Sequence, residues 1–161
     1  MADKTILDVS RWQGSIDWDT VKRSGKIDGV MLKAVSTNRK LSKRKDGLYI
    51  DPTFEHSYAE CKRVGLPVGV YYYTYATDKE MADAELALLK TALTGKTFEL
   101  PISVDVEDNK IKKLSTQALT DLAATAAPGG PGFVPAFVGL GAPHWAAEAR
   151  ALFSGITFTT S

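Results

Sequence analysis

The sequence predicts an α/β protein built on parallel strands. Two observations carry that prediction. Apolar runs and helix-like stretches alternate four times between Thr5 and Ala127. The runs are short and almost wholly apolar, the character of parallel strands covered on both faces. The expected architecture is a parallel-stranded half-barrel or an open sheet of alternating strands and helices.

Residues 5–9 form the first strand, with Asp8 at its polar end. Asp17 is placed to cap a helix over 18–24. Residues 29–35 are the second strand, and a polar loop containing Gly47 follows. A helical stretch over 52–64 stops at Gly65, a good C-terminal glycine. Residues 68–75 are the third strand, rich in β-branched and aromatic side chains. Thr77 and Glu80 have capping-box spacing and open an alanine- and leucine-rich helix reaching about residue 93. Residues 100–107 are the fourth strand, and Ser115 opens a helix that reaches Ala127.

The pattern breaks at Pro128-Gly129-Gly130-Pro131-Gly132, which ends the helix and cannot join a packed element. Beyond it, residues 133–138 read as a strand that Pro135 confines to an edge or an end. Residues 146–153 read as a short helix and 156–159 as a last strand. Three units are expected: 1–127, the junction 128–132, and 133–161 packed on the same domain.

Hydrophobic residues at 44% and charged residues at 24% describe a globular chain, not a disordered one. A net charge of +1 gives no electrostatic case for nucleic acid or an anionic membrane as partner. The basic run from Arg39 to Lys45 reads as a solvated loop. The single cysteine, Cys61, excludes a disulfide framework and a paired-cysteine metal or redox site. It lies in a helical pattern with no motif tying it to a base, and is expected as a small buried hydrophobe. The first ten residues hold no apolar stretch of signal-peptide length, and no segment is long enough to span a bilayer. Synthesis in the cytoplasm is expected.

Asp105 and Glu107 stand two apart at the end of an apolar strand, so their carboxyl groups share one side. Parallel α/β folds place their sites at that C-terminal rim. Asp8 faces the same opening if the first and fourth strands belong to one sheet. Such a set suits glycosidic cleavage, in which one carboxyl stays protonated and another ionised. Neighbouring negative charges separate the two roles by raising one pKa. A merely polar strand end, or a Mg²⁺ site, would use the same residues. No phosphate-cradling glycine loop accompanies them. Tyr71, Tyr73 and Tyr75 alternate on one strand, and Trp12 follows the first strand. Sugar sites use such flat faces; Tyr75, nearest the rim, is the expected site residue and Tyr71 is expected in the core.

Taken together, several segments resemble the lysozymes of glycoside hydrolase family 25. They are Asp8-Val9-Ser10-Arg11-Trp12-Gln13-Gly14 with Ile16-Asp17-Trp18, Val30-Met31-Leu32-Lys33-Ala34, Tyr49-Ile50-Asp51-Pro52, Gly65-Leu66-Pro67-Val68-Gly69-Val70-Tyr71, and Asp105-Val106-Glu107. The resemblance implies a muramidase that cuts the β-1,4 bond between N-acetylmuramic acid and N-acetylglucosamine in bacterial cell walls. It implies Glu107 as general acid, Asp105 as its partner carboxylate and Asp8 as a further one. It also implies that Lys33 and Tyr75 line the groove and that no metal or cofactor is needed; Tyr73 and Trp12 are expected beside them as substrate-binding residues from their aromatic faces.

The end of the chain departs from that family. Residues 133–145, with Glu148-Ala149-Arg150 and Ser154-Gly155-Ile156-Thr157, resemble an interior segment of glycerol kinases without their phosphate loops. The expectation is a chimera: a truncated lysozyme-like barrel portion whose muramidase activity is impaired. The alternatives are a folded chimera without activity, or a module that binds wall sugar without turnover. An unpaired sheet edge would favour a homo-oligomer.

Overall fold

The computed structural model describes residues 4–106, Asp108, Ile111 and the strand 133–138. Glu107, the helix expected from Ser115, the Pro/Gly junction and the elements expected after residue 138 lie outside the described residues.

The elements are β1 (Ile6–Val9), α1 (Trp18–Arg23), β2 (Gly29–Thr37), β3 (Leu48–Ile50), α2 (Phe54–Val64), β4 (Val68–Tyr73), α3 (Lys79–Leu93), β5 (Ile102–Asp105) and β6 (Phe133–Val138). They build a sheet in the order β1-β2-β4-β5-β6, with β3 on the extension of β2. All pairings along that path are parallel, as the alternating pattern requires. β3 is the exception: it pairs antiparallel with residues 35–37 of β2. It was expected as loop, because three residues inside a polar stretch carry no periodicity of their own.

Local chemistry sets the helix ends. The Asp17 carboxylate accepts from the Thr20 amide at 3.0 Å and starts α1, as expected. Gly65 closes α2 in the left-handed region at φ 68, ψ 40, where a side chain would be strained. The α3 cap is Asp78, not Thr77. Its extended backbone and its carboxylate, which accepts from the Met81 amide at 2.9 Å, shift the helix start by one residue.

The two faces of the sheet differ. Val9, Val30, Leu32, Val68, Val70, Tyr72 and Val104 share one face with Trp18, Phe54, Cys61 and Leu89 from the helices, and all are buried. Full burial of such a side chain contributes about 1.5–3 kcal/mol each, so this face holds the fold together. The registers Asp8↔Met31, Met31↔Gly69, Lys33↔Tyr71, Tyr71↔Ser103 and Tyr73↔Asp105 put a polar set on the other face. Both faces were expected to be apolar; the second is not. At its N-terminal end it is closed by Leu100. A Cβ on Gly69 would lie 2.7 Å from Leu100 Cβ and 2.5 Å from Met31 Sδ, so that approach requires glycine.

β6 lies beside β5, with Ile102↔Phe133, Val104↔Phe137 and Asp105↔Val138 in register and an irregularity between the first two pairs. Pro135 falls in that irregular stretch, where its missing N–H is tolerated.

Candidate active site

The C-terminal ends of β1, β2, β4 and β5 gather the predicted residues on the polar face. Asp105 is the last residue of β5 and is buried, while Asp8, one before the end of β1, is exposed. Between them, on β4, stands Tyr71. Its side chain is hydrogen-bonded to Asp8. Burial, then Asp8, and then the charges of Asp105 and Asp51 push the Tyr71 hydroxyl far above the ordinary phenol range. The Tyr71 side chain is thus bonded to Asp8 and lies within the field of Asp105 and Asp51. Tyr71 was expected in the core. It is buried, but its hydroxyl belongs to the acid cluster, because the strand alternation that sets it beside Tyr73 also turns it toward the polar face.

Lys33 and the tyrosines form the adjoining wall. The Lys33 ammonium lies 5.4 Å from the Tyr71 ring centroid and 5.0 Å from that of Tyr73. Both are within cation–π range, and the cation offsets part of the local negative charge. The Tyr73 and Tyr75 rings are 5.0 Å apart and tilted by 39°. Tyr75 lies just beyond the end of β4, at the rim.

Trp12 sits in a short 3₁₀ turn, Arg11–Gln13, directly after β1. Ser10 and Gln13 cap that turn reciprocally. Trp12 is 73% exposed, and the Arg11 guanidinium stacks 3.8 Å from its ring centroid. An indole held open in this way is a ready stacking platform.

In the sequence, Asp51 stands out only as part of the Tyr49-Ile50-Asp51-Pro52 segment. It is almost fully buried, accepts from the Thr53 amide and hydroxyl at 2.9 and 2.7 Å, and accepts from the Arg11 amide at 3.1 Å. It therefore ties the Trp12 turn to the start of α2. The signal available in the sequence was an acid directly after an apolar run and before a proline.

Among the described residues, no group of three or more His, Cys, Asp or Glu side chains is arranged to hold a metal. Among them, too, no helix is long and apolar enough to cross a membrane.

Residues 7–126 match the family model of glycosyl hydrolases family 25. The chain is 30% identical over 102 residues to the autolytic lysozyme of Clostridium acetobutylicum, covering 63% of this chain and 27% of that protein. It superposes on the modular autolysin LytC of Streptococcus pneumoniae with a TM-score of 0.61 at 26% identity, over 76% of this chain and 28% of that one. LytC has also been solved in complex with a synthetic peptidoglycan ligand. A second likeness is to glycerol kinase 2 of Thermotoga maritima, 46% identical over 72 residues, which is 44% of this chain and 14% of that protein. The chain thus spans less than a third of each of these proteins. The kinase likeness is longer than the residues lying outside 7–126, so the two likenesses overlap.

Proposed function

The chain belongs to the glycosyl hydrolases of family 25, and on that premise we propose that it is a muramidase-derived chimera whose site takes a peptidoglycan glycan strand. The single observation that carries this reading is the placing of Asp8, Tyr71, Tyr73 and Asp105 at the C-terminal ends of neighbouring parallel strands, with the Tyr71 side chain hydrogen-bonded to Asp8 and Tyr73 in register with Asp105. Carboxylates gathered on one rim, walled by tyrosines and an exposed indole, suit an oxocarbenium-like transition state with sugar rings stacked on either side.

In this reading Glu107 donates its proton to the oxygen leaving the β-1,4 bond. Asp105 carries the complementary charge, stabilising the developing cation or orienting the acetamido group. The Tyr71 hydroxyl orients Asp8, and Lys33, Tyr73, Tyr75 and Trp12 contact the sugars. The reaction draws on no metal or cofactor.

A weakened or absent turnover is favoured by a separate observation. The neighbour of β5 is β6, with Val138 opposite Asp105. β6 belongs to the segment that resembles glycerol kinases. Groups that must be held within about half an ångström lose rate when a neighbouring strand changes. In the same reading, residues 1–127 are the lysozyme portion and 133–161 pack on it. β1 and β6, the outer strands of the described sheet, offer edges through which two copies associate.

The test is a turbidity-clearing assay on purified peptidoglycan, with Glu107→Gln and Asp105→Asn as controls. Clearing that both substitutions abolish establishes the muramidase. Sugar binding without clearing leaves a binding module, and neither leaves a folded chimera. Light scattering after size exclusion decides the association: a clean monomer refutes it.

A further inference from the structure

One buried acid takes no part in the reading above. Glu85 lies in the middle of α3 and is 2% exposed. A carboxylate so placed is costly unless its oxygens are used. Both are. Oε2 accepts from the Thr74 hydroxyl at 2.6 Å, and Oε1 accepts from the Tyr75 amide at 2.9 Å. The Thr74 hydroxyl oxygen in turn accepts from the Ala76 amide at 3.1 Å. From the other side, the Thr74 amide donates to the Asp105 carbonyl at 3.1 Å. Residues 74–76 are thus clamped between the helix and the end of β5. Among the described residues this is the segment that carries Tyr75 away from β4, and the clamp leaves its ring against Tyr73, 5.0 Å away.

We propose that Glu85 is a positioning residue: through residues 74–76 it holds Tyr75 against Tyr73 beside the Asp105 strand end, on the wall where a sugar ring stacks. A helix-borne carboxylate is suited to this task. Past the end of β4 at Tyr73 the described backbone keeps one bond to β5, from the Thr74 amide, and hydrogen bonds to a rigid helix hold the residues that follow. A hydroxyl or an apolar side chain at position 85 would satisfy at most one of the two donors. The ring placement stands on geometry alone; its consequence for sugar binding rests on the muramidase reading.

The experiment keeps these separate. In the full chain, nuclear Overhauser contacts between the Tyr73 and Tyr75 rings report the ring placement. Binding of the β-1,4-linked tetramer of N-acetylglucosamine reports the consequence. Glu85→Leu is expected to erase the ring contacts, and Glu85→Gln, which accepts from the Tyr75 amide and donates to Thr74, to keep them. Thr74→Val opens the same clamp from its other side with almost no change of shape, and decides the matter if Glu85→Leu does not fold. Sugar affinity should fall about fivefold to tenfold in the clamp variants, as for loss of one aromatic contact. It should fall no further when they are combined with Tyr75→Ala. Ring contacts that persist in a folded clamp variant overturn the proposal. So does a clamp substitution that costs as much without the Tyr75 ring as with it. If the wild-type chain does not bind the tetramer, the muramidase reading fails and the ring contacts still decide the role of Glu85.

Discussion

Removing the acceptors of Asp51 should unfasten the Trp12 turn from α2. Asp51 is 1% exposed, and its two oxygens serve three donors, at 2.7, 2.9 and 3.1 Å. In Asp51→Asn the carbonyl oxygen keeps the two Thr53 donors, and the new amide group faces the Arg11 N–H, donor against donor. One charge-assisted bond is lost, which costs about 1.5–3 kcal/mol. In Asp51→Ala both backbone N–H groups lose their acceptor, at about 1–3 kcal/mol each, while the Thr53 hydroxyl turns to another partner. For a chain of this size each kcal/mol lowers the melting midpoint by roughly 2–4 °C. Asn should therefore lower it by roughly 3–12 °C and Ala by up to roughly twice that. Thermal unfolding followed by circular dichroism at 222 nm reads both. A midpoint for Asp51→Ala within about 2 °C of wild type, or an Ala variant no worse than the Asn variant, would refute the reasoning.

Three other outcomes are expected. Trp12→Ala should leave the melting midpoint within a degree or two, because the ring is 73% exposed, yet weaken binding of the N-acetylglucosamine tetramer about fivefold or more; unchanged affinity by titration calorimetry removes Trp12 from the groove. Burial pushes the Cys61 thiol up to about 12, so at pH 8 a thiol reagent should react only in denaturant; fast labelling of the native chain by a chromogenic disulfide contradicts the burial. Glu85 titrates above its ordinary 4.5, because burial outweighs the hydrogen bonds it accepts from Thr74 and Tyr75. The folded state then holds a proton that the unfolded state has released, so stability is lost as pH rises from below 4.5 through the raised folded value. Compared with Glu85→Gln, the wild-type midpoint should fall as pH rises above 4.5; a difference that stays constant or grows refutes the shift.

Much of this was legible in the chain because it is written locally. Asp17 and Gly65 sit where a helix must begin and end, and the apolar runs mark the strands whichever neighbours they find. What was missed depends on distant partners. β3 exists because residues 35–37 of β2 extend past β1 and need a ladder, a fact of pairing that three residues cannot announce. Tyr71 looked like core because a tyrosine amid valines usually is; its face follows from the register Lys33↔Tyr71↔Ser103, which is known only once the strands are paired. The same holds for the second face of the sheet. The runs looked apolar throughout, and only the pairing of Asp8, Lys33, Tyr71, Ser103 and Asp105 across neighbouring strands separates a polar face from the one the helices cover. The Thr77 cap failed by one residue for the opposite reason: two good caps stand side by side, and only the backbone at Asp78 chose between them.

The sheet and the site make different demands on what lies beside β5, and that separates stability from chemistry here. A strand edge asks its neighbour for N–H and C=O groups at the right spacing, which almost any extended segment supplies. β6 meets that request even though Pro135 lacks an N–H: the register shifts between Ile102 and Val104, and pairing then runs on through Val104 and Asp105. The demand made by Asp105 is of another kind. In the proposed muramidase Asp105 acts together with Glu107 and Asp8, and such a site needs particular side chains at particular positions, which backbone pairing alone does not specify. A segment resembling a glycerol kinase can therefore pair with the edge of this sheet on backbone grounds alone. The apolar face and the ladder are indifferent to the origin of β6; the carboxylates at its end are not.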